Sequence, residues 1–208
     1  MIKLDFKSLS LTNILLKFGV FQVCAEQQTE EEVFPLAMNY LDRFLCVHNL
    51  HRTRLQCLGA ACMLLASKLK DNVHISVEQL VLYTDSSITN SELRDMESLV
   101  LQVLKWDLSA VTPNDFVAHI VHRLPLDSSV VKKVREHSQT LIVTCAGDCN
   151  FILSPPSMIA AGCIGATIRG MGEKSGWQSS VPVTDVLHNI IGVDLEFLQT
   201  CQESIKQV

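Results

Sequence analysis

Two segments that lie 100 residues apart constrain the fold of this chain more than any other feature. LGAACMLLASKLK at 58–70 and MIAAGCIGATIRG at 158–170 are both rich in small residues and apolar on nearly every helical face. A helix that is apolar all round must be buried, and small side chains let neighbouring helices approach it closely. The sequence therefore predicts two similar helical bundles, each wrapped around one of these segments, with a seam near 109–112.

Helical periodicity runs through almost the whole chain, and no convincing β-alternation lies between turn signals. Apolar residues recur at three- and four-residue steps, as in Leu93, Met96, Val100 and Leu104, while charged residues occupy the other side. This pattern predicts an all-α fold. We expect about ten helices, near 14–27, 30–47, 51–70, 76–83, 90–105, 113–123, 127–150, 155–170, 183–192 and 194–207.

Helix starts are marked by five local signals. Three strings fit the capping box, in which a hydroxyl residue precedes an acid or amide by three positions: Thr29–Glu32, Ser76–Gln79 and Thr89–Glu92. Two more place a capping residue before a proline at the first helical position: Thr112–Pro113 and Ser154–Pro155.

Composition and charge argue against several functions. The net charge of −5 and pI of about 5.8 disfavour a protein that binds nucleic acid through phosphates. The longest apolar runs, 58–66 and 158–168, are shorter than the roughly 20 residues of a membrane span. No signal peptide is recognised. Most of the eight cysteines lie in apolar helical runs, where reduced thiols act as small hydrophobes.

Motifs that would mark an enzyme were not found. There is no P-loop, no G-x-G-x-x-G, no G-x-S-x-G and no H-E-x-x-H. Cys145 and Cys149 share a helix face, and His119 and His122 are the only tempting partners for a metal, but core packing is the favoured interpretation. We predict a binding module with no cofactor, no metal and no catalytic residue. By sequence alone, Lys68 and Glu97 are interpreted as surface charges.

Longer strings resemble a known family. EEEVFPLAMNYLDRFL at 30–45, LGAACMLLASKLKD at 58–71, LYTDSSI at 82–88 and MESLVLQVLKWDLSAVTPNDF at 96–116 look like a cyclin box, and SPPSMIAAGCIGA at 154–166 resembles a second one. These strings are similar to those of the D-type cyclins, which are regulatory subunits of kinases that act before DNA synthesis. The resemblance implies two tandem five-helix repeats: a divergent segment 1–13, an N-terminal box 14–110 and a C-terminal box 111–208.

The resemblance also implies a function. Members of the family dock on a cyclin-dependent kinase and move its regulatory helix into the active position, so this chain would promote the transition from the first gap phase to DNA synthesis. The family's kinase contacts fall on Lys68, Leu69, Glu97, Leu101 and Trp106. Kinase-inhibitor proteins and retinoblastoma-family substrates are further implied partners, and nucleus and cytoplasm are the implied location. No nucleic-acid or membrane partner is expected.

The first helix departs from the family pattern. Positions that usually hold Met, Arg and Trp hold Thr12, Asn13 and Gly19. The usual Arg pairs with the aspartate of YLDRF, so Asp42 is expected to lack its partner. The same helix lines a cleft that captures R-x-L segments, and Leu16, Gln22 and Gln56 occupy positions of that cleft. Without the Trp, we expect weakened docking there.

Three alternatives remain. The chain could bind a kinase without activating it and so sequester it, because its first helix is altered. A helical scaffold of the same fold that binds nucleic acid is disfavoured by the acidic charge. An enzyme is the remotest alternative.

Overall fold

Ten helices in two compact units make up the described structure. The computed structural model describes residue 17 and residues 19–207, and the chain divides at Ala110 and Val111. The first unit contains a helix over 19–27 (α1), then α2 (Val33–Val47), α3 (Leu55–Lys70), α4 (Val77–Tyr83) and α5 (Asn90–Val103). The second contains α6 (Pro113–His122), α7 (Ser128–Gly147), α8 (Pro156–Met171), α9 (Val183–Ile191) and α10 (Leu195–Ile205). The predicted fold class, two tandem five-helix repeats, is confirmed.

The first unit is built around α3. Twelve of the 16 residues of this helix are buried, and it packs against α2, α4 and α5. Ala61, Cys62, Leu64 and Ala66 have no exposed surface. Small side chains on several faces allow more than one neighbour to come close, as the sequence predicted.

The second unit repeats this arrangement around α8. Nine of its 16 residues are buried, and α6, α7, α9 and α10 pack against it. Gly162 and Gly165 lie beneath α10: a Cβ at Gly162 would meet Ile205 and Cys201, and one at Gly165 would meet Gln202. The glycines therefore set how closely α10 approaches α8.

Three of the five predicted helix starts have the expected geometry. Ser76 and Gln79 form a reciprocal capping box on α4, and Thr89 and Glu92 form one on α5. Thr112 is the N-cap of α6, with Pro113 as the first helical residue. The Asp115 carboxylate accepts a 2.6 Å hydrogen bond from the Thr112 backbone N–H.

The other two predicted starts are wrong. Thr29 does not cap α2, because its own backbone N–H donates to the Cys24 carbonyl (3.2 Å) and not to Glu32. The next N–H, of Glu30, donates to Asp71 just after α3, and the helix begins only at Val33. The start of α8 is one residue later than predicted. A residue before a proline avoids the helical region, and Pro155 precedes Pro156, so Pro155 is the extended N-cap.

Buried thiols fill part of both cores. The seven cysteines whose side chains are described are free, and all but Cys46 are buried. Burial raises the pKa of Cys24 and of Cys201 to about 11. These thiols therefore stay protonated at neutral pH and pack as small apolar groups. Across residues 17 and 19–207, none of the helices is both long enough and apolar enough to span a bilayer.

The close approach of α8 and α10 makes Gly165→Ala a sensitive test of this packing. Gln202 is almost fully buried, and its side-chain oxygen accepts hydrogen bonds from Arg169 (2.5 Å) and Thr184 (3.0 Å), so it cannot swing away from a new methyl group. We expect Gly165→Ala to lower the free energy of unfolding by about 1–3 kcal/mol, as overpacked cores do.

The matched control is Gly170→Ala in the same helix. A Cβ there meets no atom within 4 Å, so this variant should be neutral or more stable by up to about 1 kcal/mol. Chemical denaturation of both variants measures the difference. Equal stability of the two would contradict the packing described here.

Candidate functional site

An ion pair links the last turn of α3 to the middle of α5. Lys68 Nζ donates a 2.6 Å hydrogen bond to Glu97 Oε1, with side chains 42% and 14% exposed. Lys68 is in the last turn of α3, where a cation also interacts favourably with the helix dipole. Exposed pairs contribute at most about 1 kcal/mol to stability. The pair therefore mainly orients Lys68, whose remaining N–H groups can donate to a partner's oxygen atoms.

Apolar side chains lie next to these charges in the chain. Leu69 follows Lys68 and is 47% exposed, and Leu101 is one turn beyond Glu97 on α5 and partly buried. Trp106, just after α5, is 72% exposed. Large aromatic groups left in water at the end of a helix, beside directional charges, are typical of protein interfaces.

The turn that presents Trp106 is strained. Lys105 and Trp106 both have positive φ, 54° and 61°, a conformation that side chains other than glycine disfavour by roughly 1–2 kcal/mol per residue. The backbone N–H groups of Lys105 and Trp106 donate to Gln102 (3.1 Å) and Leu101 (2.9 Å), which is the Schellman pattern of a helix end. Strain of this kind concentrates at functional sites.

Contacts from α2 hold the turn in place. Arg43 donates to the Asp107 backbone carbonyl (2.9 Å) and to its carboxylate (2.8 Å), and the Tyr40 hydroxyl donates to the Leu108 carbonyl (2.7 Å). These bonds join residues more than 60 positions apart in sequence. They fix the segment after Trp106 to the core, so the exposed indole is presented from a rigid base. Sequence reasoning did not identify this anchor.

Asp42 has a partner, contrary to the expectation from the sequence. Lys17, only 4% exposed, lies with its Nζ 3.2 Å from both carboxylate oxygens of Asp42. Burial raises the pKa of Asp42, and the attraction of Lys17 offsets part of that shift. Lys17 thus supplies from another position the charge that Asn13 lacks. In the sequence, Lys17 stands out because it interrupts an apolar stretch. The sequence does not show that its partner is Asp42.

The three cleft residues are only partly accounted for. Leu16 lies outside the described residues. Gln22 is on α1 and donates to Glu26 (3.2 Å), while Gln56 is in the first turn of α3 and accepts from the Ser87 hydroxyl (3.2 Å). Gly19 is an exposed helical residue whose Cβ would meet no atom within 4 Å. The expected weakening of R-x-L docking stays a prediction.

Comparison with known proteins identifies the class. The cyclin N-terminal domain family matches residues 4–109 and the cyclin C-terminal domain family matches residues 111–208. The chain belongs to the cyclin family. Among solved structures, a viral cyclin from herpesvirus saimiri superposes with a TM-score of 0.83 at 28% identity, covering 94% of this chain and 82% of that one. A chain of the yeast RNA polymerase II C-terminal-domain kinase complex shares the fold, with a TM-score of 0.69 at 10% identity, covering 97% and 77%.

Curated relatives narrow the class to the D-type branch. The chain is 50% identical to G1/S-specific cyclin-D1 of Danio rerio over 191 residues, which is 91% of this chain and 66% of that protein. It is also 50% identical to G1/S-specific cyclin-D2 of Gallus gallus, with the same coverage, and 47% identical to G1/S-specific cyclin-D3 of Homo sapiens over 192 residues, 92% and 65%. The resemblance to D-type cyclins is confirmed. The chain spans just under two thirds of the length of these relatives.

The Lys17–Asp42 pair can be tested by removing its cation. Lys17→Met leaves the largely buried Asp42 carboxylate without this cation. We therefore expect the free energy of unfolding to fall by about 2–4 kcal/mol. The loss should shrink as the pH is lowered, because the pKa of Asp42 is already raised and a neutral carboxyl needs no cation.

Denaturant unfolding at neutral and acidic pH measures both effects. The control is Lys17→Met/Asp42→Asn, which removes both charges and should recover most of the stability. A single variant that is as stable as the double variant at neutral pH would refute this account of Asp42.

Proposed function

We propose that this chain is a regulatory subunit that binds and activates a cyclin-dependent kinase, promoting the transition from the first gap phase to DNA synthesis. The sequence similarity to proteins named G1/S-specific cyclins supports this role. The chain spans just under two thirds of those relatives, and the part that it shares with them contains both cyclin domains.

The observation that carries the proposal is that Trp106 is exposed on a strained turn at the end of α5, the helix whose Glu97 pairs with Lys68. A turn with two non-glycine residues at positive φ is costly, and an indole that is 72% exposed gains little from its own fold. A kinase surface that covers Trp106, Leu69 and Leu101 would bury this apolar area, and Lys68 would add direction. Aromatic anchors of this type supply much of the affinity of protein interfaces.

The mechanism is a population shift in the kinase. A free kinase that populates its active conformation weakly is driven toward it by any partner that binds that conformation better. Moving the ratio from 1:99 to 99:1 takes about 5.5 kcal/mol of differential affinity. A few side chains that become well buried in the interface can provide this difference in binding free energy, since a single such side chain contributes about 2 kcal/mol or more. A rigid base under Trp106, built by Arg43 and Tyr40, avoids a loss of entropy on binding.

Catalysis then stays in the kinase, and this chain contributes surface rather than reacting groups. Kinase-inhibitor proteins and retinoblastoma-family substrates are further partners under the same proposal. Nuclear and cytoplasmic localisation stays a prediction from the resemblance.

The alternative of a sequestering variant receives no support from the comparisons. It rested on an altered first helix that would leave Asp42 without a partner. Lys17 supplies that partner, and residues 19–27 are helical. Activation of the bound kinase remains the measurement that separates the two roles.

Charge reversal at Lys68 tests the interface. We expect Lys68→Glu to weaken kinase binding by about tenfold or more, because it places like charges together and removes a charged donor. The swap Lys68→Glu/Glu97→Lys restores an internal ion pair but not the charge that the kinase meets. It should recover thermal stability without recovering affinity.

Co-purification and titration with a D-type-responsive kinase, together with phosphorylation of a retinoblastoma fragment, provide the readouts. Lys133→Glu, on the exposed side of α7, is the matched control for the change in net charge. Full recovery of kinase affinity by the swap would show that Lys68 acts only within the chain.

Truncation of Trp106 tests the apolar anchor. Trp106→Ala should lower kinase affinity by roughly 30-fold, the equivalent of about 2 kcal/mol, with little change in thermal stability because the indole is mostly in water. Leu153→Ala, at a side chain that is 96% exposed in the second unit, is the control and should leave affinity unchanged. Equal effects of the two variants, measured by calorimetry, would remove Trp106 from the interface.

A further inference from the structure

A hydroxyl residue is followed by a proline at two places in the chain, Thr112–Pro113 and Ser154–Pro155. Proline has no backbone N–H, so a kinase site that offers no acceptor for that group selects proline after the residue that it phosphorylates. Kinases with such sites are called proline-directed. Both dipeptides carry this signal, and the fold decides which hydroxyl group a kinase can reach.

Thr112 is closed to a kinase. It is 2% exposed, and its hydroxyl donates a 3.1 Å hydrogen bond to the Asp115 carboxylate. The same carboxylate accepts the Thr112 backbone N–H, so two atoms hold this residue as the N-cap of α6. A kinase could reach Thr112 only after the cap had opened and the residue had left the core.

Ser154 is open to a kinase. It lies in the loop between α7 and α8 and is partly exposed, and among the described residues none forms a hydrogen bond with its hydroxyl. Its neighbours Ile152, Leu153 and Pro155 are exposed, and Leu153 is 96% exposed. A kinase must surround the acceptor residue and the side chains next to it, and these four residues leave room for that contact.

The backbone of the loop presents Ser154 without any unfolding of a helix. Phe151 is buried in the second unit, and its carbonyl accepts a 3.0 Å hydrogen bond from the Ser154 N–H. Pro155 is extended, with φ −57° and ψ 140°, and α8 begins at Pro156. The acceptor therefore lies in a short segment that is held at both ends.

We propose that Ser154 is a phosphorylation site for a proline-directed serine/threonine kinase. Its Oγ attacks the γ-phosphorus of ATP, and a new oxygen–phosphorus bond forms. The bond from that phosphorus to the β,γ-bridging oxygen breaks, and ADP leaves with the electron pair. The hydroxyl proton passes to the catalytic aspartate of the kinase.

The phosphate adds a charge of about −1.5 to −2 at neutral pH beside the exposed side chain of Leu153. It lies just ahead of the N-terminus of α8, where the helix dipole favours an anion. The modification is therefore compatible with the fold, and it converts an apolar edge of the second unit into a charged one. It goes beyond the proposed activation of a kinase and uses neither Lys68 nor Trp106, so each proposal can fail without the other.

The test is incubation of the full chain with ATP, magnesium and a proline-directed kinase of the mitogen-activated class, followed by mass spectrometry of proteolytic fragments. We expect phosphate on Ser154 and about tenfold less or lower on Thr112, which is reached only when its cap opens locally. Peptides covering 107–117 and 149–159 are the controls. Both should be phosphorylated, since neither is protected by the fold.

Three variants locate the reaction. Ser154→Ala should remove the phosphate, and Ser154→Thr, which keeps a hydroxyl, should retain it. Pro155→Ala keeps the serine but gives the next residue an N–H that the kinase leaves unpaired, so kcat/KM for phosphorylation should fall by about tenfold or more. All three should keep the helical circular dichroism of the parent chain, because residues 154 and 155 lie outside α7 and α8.

Three results would overturn the proposal. Phosphate could appear on Thr112 of the folded chain as readily as on Ser154. The folded chain could stay unmodified while the 149–159 peptide is phosphorylated, which would mean that the fold protects Ser154 as well. Pro155→Ala could be phosphorylated at the rate of the parent chain, which would mean that the kinase does not recognise the Ser154–Pro155 dipeptide.

Discussion

Enclosure of two helices made of small residues is the constraint on which the rest of this structure depends. Neither α3 nor α8 has a polar face that could be left in water, so each must be surrounded by neighbours. Alanines in α3 and glycines in α8 let those neighbours come close, and Gly165 under Gln202 shows how little space remains. The proposed kinase interface follows from this enclosure. The last turn of α3 must emerge from the core, and Lys68 and Leu69 lie where it does.

Two lysine–carboxylate ion pairs have different roles because one is more buried than the other. Lys17 and Asp42 are largely removed from water, so each depends on the other, and loss of one leaves a costly charge in the first unit. Lys68 and Glu97 are closer together, but Lys68 is far more exposed than Lys17, so solvent weakens their attraction. The first pair supports the fold. The second pair orients Lys68 at the surface and leaves some of its N–H groups available to a partner.

Local signals predicted local structure well. The helical repeat gave ten helices, and the capping boxes at Ser76 and Thr89 formed because both partners lie within one turn. The box at Thr29 did not form, because the Thr29 N–H donates to the Cys24 carbonyl, and Asp71, more than 40 residues away, binds the neighbouring N–H of Glu30. Of the site, the resemblance supplied the identities of Lys68, Glu97 and Trp106. It could not supply the bonds from Arg43 and Tyr40 that hold the turn, since these form only when α2 packs beside the end of α5.

The sequence by itself determined that this chain is all-α, that it contains two similar bundles, and that it resembles the D-type cyclins. Those properties depend on periodicity and on motifs that are contiguous in the chain. Tertiary structure alone decided that Asp42 is paired, because Lys17 comes from a different helical segment than the residue it replaces. It alone decided that Arg43 and Tyr40 hold the segment that follows Trp106. Both depend on how helices that are distant in sequence pack together, and periodicity carries no information about distances of that kind.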